Sequence, residues 1–233
     1  DGVDNSFLNR DSIKQRNIIF DMFSINNRNI NKVFCSLGRL HKVKRYDLLI
    51  DSFKKYSKNN KNSVLIIGGS DFGERDYLIR KIKKNNKIFL VGHLNEVQKV
   101  KLLKNSDFFI LTSDYESFSI STIEALSLGT PVIISNNLPW KDVFEKKCGM
   151  LVENNVCSIL DALEKSKFYL FNSLSCKNYV KSKYSGPNSF NIEGAKGRKF
   201  SLFFIFLFKI SLALFFLGSI KIDLFPSARG PNS

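Results

Sequence analysis

Between residues 32 and 168 the chain alternates short apolar runs with longer amphipathic stretches. KVFCSLG (32–38), SVLIIGG (63–69), KIFLVGH (87–93), DFFILTS (107–113), PVIIS (131–135) and GMLVE (149–153) each read as a strand: short, nearly continuous in apolar residues, and rich in β-branched or aromatic side chains. The stretches between them carry helical spacing instead. Over 45–58, Leu48, Leu49, Ile50, Phe53 and Tyr56 mark one apolar stripe, and a charged helix is predicted over 74–85. Another is predicted over 95–106, with Asn95 as its N-cap and Val97, Val100, Leu102 and Leu103 available for packing. Helices are also expected after the fifth and sixth strands.

Apolar strands separated by helices indicate a parallel sheet covered on both faces, because parallel neighbours need crossovers and each crossover helix hides a face. The expected fold is α/β, a doubly wound, Rossmann-like parallel sheet over residues 32–168. Ligands of such sheets bind outside the carboxyl ends of the strands, where loops turn into helix N-termini. The loops of interest are therefore 38–45, 68–74, 92–95 and 113–120.

Charge sharpens this picture. The chain's formal net charge is +15, but residues 32–105 hold 18 Lys/Arg against 6 Asp/Glu, residues 106–166 hold 4 against 9, and residues 167–233 hold 10 against 2. A basic half beside an acidic half suits an anionic ligand or an anionic membrane surface; the competing reading is lysines decorating solvated helix faces. Nucleic acid is not an expected partner, since the basic segment has no aromatic-interleaved face and no known motif. Cys35, Cys148, Cys157 and Cys176 are too widely spaced for a zinc site or a disulfide framework, which points to a reducing, cytoplasmic setting. With 233 residues and 43% hydrophobic composition, the chain can bury a sizeable core in one domain.

The candidate chemistry sits in the loops singled out above. Arg39 and Lys44, five apart after the first strand, can hold a diphosphate, Arg as a planar fork and Lys as a compact charge; two solvated cations are the alternative. Gly68 and Gly69 permit close backbone approach to phosphate or sugar, although turns need glycine anyway. His93 has no second histidine nearby, so no metal is expected there. After the fourth strand, ESFSISTIEALSLGTPVI (116–133) puts Glu116 on a loop and Glu124 inside the helix that follows. With that helix starting near Ser119 to Ser121, the backbone N–H groups of Phe118, Ser119 and Ile120 form an anion site. Glu124 has two readings. It contacts a ligand about 6–8 Å further along the helix, or it closes a Ser121-Thr122-Ile123-Glu124 capping box.

Taken in order, GR-x4-K, the glycine pair, the strand ending in VGHL, SDFFILTSDYESFSISTIEALSLGTPVI and GMLVENN closely resemble the C-terminal half of group 1 glycosyltransferases. These are retaining enzymes of the GT-B fold, with a cleft between two Rossmann-like domains. The resemblance covers about residues 1–184. It implies a nucleotide-sugar donor (UDP-, GDP- or ADP-), a glycan or lipid-linked acceptor, and no metal or other cofactor. Arg39 and Lys44 would neutralise the donor diphosphate with help from the amides at 118–120, Glu124 would hold the ribose hydroxyls, and Glu116, the catalytic candidate, would contact the donor sugar. The family usually has glycine at two positions occupied here by Arg45 and Ser119. A non-catalytic Rossmann-like nucleotide-binding module is the alternative reading.

The ends of the chain add three expectations. DGVDNSF resembles the family's interdomain linker, so residues 1–31 are expected to be a linker remnant and the N-terminal domain to be missing, leaving the fragment inactive alone. Residues 169–185 are expected to be the remnant of a terminal helix. Beyond them, in the atypical tail 186–233, FSLFFIFLFKISLALFFLGSI (200–220) is long enough to span a bilayer, with basic residues before it and Lys209 within it; the other reading is an aberrant extension. The expected location is cytoplasmic, with membrane association where the tail inserts.

Overall fold

The computed structural model describes residues 16–26, 29–83, 85–117, 119–169 and 171–184. All six expected strands form: β1 (Lys32–Leu37), β2 (Ser63–Gly68), β3 (Ile88–Gly92), β4 (Phe108–Leu111), β5 (Val132–Ser135) and β6 (Gly149–Val152). They build one sheet in the order β3-β2-β1-β4-β5-β6, with every neighbouring pair parallel. The helices are α1 (16–22), α2 (Tyr46–Asn59), α3 (Arg75–Ile82), α4 (Glu96–Lys104), α5 (Ile120–Ser127), α6 (Val156–Lys165) and α7 (Ser173–Tyr184). A single 3-10 turn, Lys42–Lys44, precedes α2.

Alternate strand residues point to opposite faces, so each apolar run feeds two cores at once. Val33, Cys35, Leu37, Phe109, Leu111, Val132 and Ile134 pack with α1, α4, α5 and α7. On the other face Phe34, Leu65, Ile67, Phe108, Ile110 and Ile133 pack with α2, α3 and α6. The predicted stripe of α2 is seated here: Leu49, Ile50, Phe53 and Tyr56 are buried, and the Phe34 ring meets Phe53 and Tyr56 edge-on at 5.9 and 5.6 Å.

Three local expectations are corrected. No helix follows β5: residues 136–148 run as successive turns, because the buried Leu138, Trp140 and Val143 recur at intervals of two and three rather than at helical spacing, with Pro139 among them. In α4 only Leu102 and Leu103 reach the core. Val97 and Val100 are exposed, since nine residues present only the last turn to the sheet. Residues 16–22, given no element from sequence, are helical, and Ile19 and Phe20 are buried. Asn95 does cap α4, accepting from the Gln98 N–H at 2.9 Å in a reciprocal capping box. Among the described residues no helix is long and apolar enough to cross a membrane; the apolar run 200–220 lies outside them.

The strand order reverses between β1 and β4, and this decides where the loops meet. The loops leaving these adjacent strands open side by side and are stitched together: the Asp114 N–H donates to Val43 O at 2.8 Å, and Thr112 Oγ1 to Lys44 O at 3.0 Å. The β1 and β2 loops are equally close, with the Leu40 N–H donating to Ser70 O at 2.8 Å. Here glycine is obligatory, since a Cβ on Gly69 would lie 1.8 Å from Gly38 O.

Candidate functional site

Lys44 leaves the 3-10 turn after β1 and forms an ion pair with Glu116, which leaves the loop after β4. Ser113 Oγ donates to the same Glu116 Oε1 at 2.7 Å. The two charged side chains are only 12% and 14% exposed. Space for the lysine comes from Gly38, whose Cβ would meet Lys44 Cε at 2.9 Å and the Tyr46 hydroxyl at 3.1 Å. Tyr46 itself donates to Gly38 O at 3.2 Å, and its burial pushes the phenol upward, so it acts as a neutral strut beneath the pair.

Arg39 is placed on the same rim but with a different contact. Its exposed guanidinium lies 5.0 Å over the Phe72 ring on the β2–α3 loop, while Lys44 faces the β4–α5 loop. Gly68 ends β2, and a Cβ there would lie 2.9 Å from Leu37 and Leu94; together with Gly69 it closes the gap between neighbouring loops. His93 Nδ1 is 3.3 Å from Ser70 Oγ. Among the described residues no group of three or more His, Cys, Asp and Glu could hold a metal ion.

The helix α5 begins at Ile120, and its N-cap Ser119 makes no side-chain cap bond. The Ser119 hydroxyl instead lies 2.5 Å from Thr122 Oγ1, leaving the amides of the first turn without a side-chain acceptor from the N-cap. Phe118 lies outside the described residues. Both non-glycine departures adopt left-handed backbone: φ is 44° at Ser119 and 49° at Arg45. Glycine suits these positions because a Cβ makes the conformation costly. The added charge of Arg45 is absorbed locally. Its guanidinium bonds Asp47 at 3.2 Å and Asp114 at 3.3 Å, and the Asp47 hydrogen bond raises its pKa.

The capping-box reading of Glu124 is overturned. With Ser119 as N-cap, Ser121 lies inside α5, and the Glu124 carboxylate bonds Lys99 of α4 at 3.3 Å. Lys99 also holds Glu96 at 2.8 Å. Burial pushes the Glu124 carboxyl above its ordinary value, and the attraction of Lys99 offsets that only in part. Lys99 is itself raised: burial pulls it down, but Glu96 and Glu124 outweigh burial.

Lys99, Ser113, Thr112 and Asp114 were not singled out from sequence. Ser113, three residues before Glu116 on the same loop, was within reach of local reasoning. Lys99 was not, since 25 residues separate it from Glu124 and only the packing of α4 against α5 joins them. The assembled rim offers two cations, Lys44 and Arg39, two carboxylates and a helix N-terminus at one sheet edge. That combination can receive an anion on one side and hydroxyl groups on the other.

The model of the family described as glycosyl transferases group 1 matches residues 17–185. The UDP-Gal:alpha-D-GlcNAc-diphosphoundecaprenol alpha-1,3-galactosyltransferase of Escherichia coli is 31% identical over 178 residues, 69% of this chain and 42% of that protein. The chain spans between 25% and 42% of the length of the first curated relatives it matches. Among solved structures, the C-terminal domain of the Francisella tularensis group 1 glycosyl transferase LpcC superposes with a TM-score of 0.58 at 17% identity, covering 72% of this chain and 91% of that one. Anabaena HepE, solved with UDP and glucose, gives 0.59 at 18% identity over 72% of this chain and 48% of that one. The parallel sheet thus has counterparts in GT-B enzymes, and the chain belongs to the group 1 glycosyltransferases.

Proposed function

We propose that this chain is the donor-binding domain of a retaining hexosyl-type glycosyltransferase, which moves a sugar from a nucleotide-sugar to a glycan or lipid-linked acceptor. The carrying observation is the Lys44–Glu116 pair across the β1/β4 switch point, with Glu124 about one turn into the adjoining helix. The E. coli relative supports a UDP-sugar donor and a lipid diphosphate acceptor, and the UDP and glucose of HepE agree with the donor class.

In this reading the diphosphate draws Lys44 from Glu116 and receives Arg39 from the other side of the rim. Glu116 is then released toward the sugar, while Glu124 accepts the ribose hydroxyls. The first amides of α5 assist the phosphates. As the glycosidic bond breaks, negative charge grows on the leaving diphosphate, and preorganised donors are worth the most where charge develops, about 3–4 kcal/mol for a well-placed one. With Lys44, Arg39 and these amides on the phosphates, the resident charges neutralise the leaving group without a metal. The acceptor site belongs to a second domain, and the present chain by itself binds donor without transferring sugar. An anionic membrane surface would present a lipid-linked acceptor to the assembled enzyme.

Titration calorimetry of the full chain with UDP-glucose, GDP-mannose and ADP-glucose tests this. Saturable binding to one of them is expected, weakened on the order of 10- to 100-fold by Lys44→Met, the range of a charge-assisted hydrogen bond. Heats that never saturate with any of the three would remove the donor reading.

A further inference from the structure

We propose that Lys99 of α4 is a positioning residue for the donor site: it holds Glu124 as an oriented carboxylate, so that the affinity for the nucleotide's ribose depends on a side chain outside the α5 motif. This rests on the donor reading above. The geometry carries it. Glu124 and Lys99 sit 25 residues apart on neighbouring helices, their Oε1 and Nζ atoms are 3.3 Å apart, and their side chains are only 23% and 22% exposed. A carboxylate so sheltered has lost most of its water and needs a fixed counter-charge to remain ionised.

The surroundings supply few others. Glu96, on the same face of α4, lies 2.8 Å from Lys99 and raises the cost of ionising Glu124. The strands β4 and β5 contribute no charged residue, and Lys177 of α7 approaches α5 at Gly129, beyond its C-terminal end. Lys99 is therefore shared between a carboxylate at the site and one at the helix edge. The bond to Lys99 uses Oε1, so the carboxylate keeps a fixed orientation while retaining acceptor capacity for a ribose diol. Loss of Lys99 leaves Glu124 facing only a repelling neighbour, and the carboxyl protonates at higher pH. A neutral carboxyl is the weaker acceptor, because a charge-assisted hydrogen bond is roughly twice as strong.

Two measurements on the full chain, wild type and Lys99→Met, test the role separately from the donor reading. The first needs no donor: carbon NMR of the Glu124 side chain across pH should show it titrating higher in the variant than in the wild type, with Lys99→Arg restoring the wild-type profile. An unchanged Glu124 titration overturns the positioning role. The second is the affinity for UDP-glucose, GDP-mannose or ADP-glucose between pH 8 and pH 5.5, a range in which the diphosphate of a nucleotide-sugar does not titrate. The expected result is a steeper loss of affinity toward acid in Lys99→Met than in the wild type. Wild-type binding with parallel pH profiles also overturns the proposal. A wild type that binds none of the three sugars overturns the donor reading and, with it, the functional meaning of the pair.

Discussion

The strands β1 and β4 carry an ion pair at each end, and the two pairs behave differently. At the amino end, Arg16 donates to Asp107 Oδ1 at 2.7 Å and to Asn31 O at 2.5 Å, while Asp107 Oδ2 accepts from the Val33 N–H at 2.6 Å. Both carboxylate oxygens are engaged, so the pair welds α1 and the two strand entrances together. At the carboxyl end, Glu116 Oε1 takes both Lys44 and Ser113, and among the described residues Oε2 has no partner. The same charge chemistry is saturated at one edge of the sheet and left half open at the other. Direct bonds join the two strands or their loops at both edges, Asp107 N–H to Val33 O and Asp114 N–H to Val43 O, each at 2.8 Å. The difference is that the amino-edge acid also takes a backbone N–H on its second oxygen, while the carboxyl-edge acid sits where ligands of such sheets bind.

The largest test of this contrast is removal of the welded acid. Asp107→Ala removes the counter-charge of Arg16 and the side-chain acceptor of the Val33 amide, and should lower unfolding free energy by about 2–4 kcal/mol, read as a fall in urea midpoint at constant slope. Glu116→Gln should act chiefly on binding rather than on stability. Stability should change by less than ~1 kcal/mol, because the amide keeps the Ser113 contact at a half-open site, while nucleotide-sugar affinity falls on the order of 10-fold. Equal losses of stability at both ends would erase the distinction.

Glu124 sharpens the comparison through pH. Its folded pKa lies above the ordinary value, so the folded chain binds more protons than the unfolded one in the interval between the two, and stability falls as pH rises through that interval. Glu124→Gln should flatten this part of the stability curve while weakening donor binding. A slope that survives the substitution would assign it to another group. The smallest effect is expected at Ser119, where φ of 44° favours glycine: Ser119→Gly should gain on the order of 0.5–1 kcal/mol by thermal unfolding, as relief of strain exceeds the added entropy of the unfolded chain.

Much of this was legible in the chain. Six apolar runs separated by helical stripes fixed a parallel sheet, because only crossovers can connect parallel neighbours, and the sheet in turn fixed which loops face a ligand. The stripe of α2 and the Asn95 cap are local features, and local reasoning found them. It failed where a local signal had two outcomes. Ser121 to Glu124 spells a capping box, but the left-handed turn at Ser119 starts the helix two residues too early for Ser121 to serve as the cap. Val97 and Val100 have the spacing of a buried face, yet the face of α4 that meets the sheet is set by where the helix docks.

By itself the sequence determined the strand count, the connectivity and the identity of the charged residues on each loop, since these follow from the period of apolar positions and from chain order. Only tertiary structure decided the partnerships: Lys44 with Glu116 across 72 residues, and Lys99 with Glu124 across 25. Pattern along the chain records which face a side chain takes, but the distance between two charges depends on how neighbouring strands and helices are ordered in space, and no local period encodes that order.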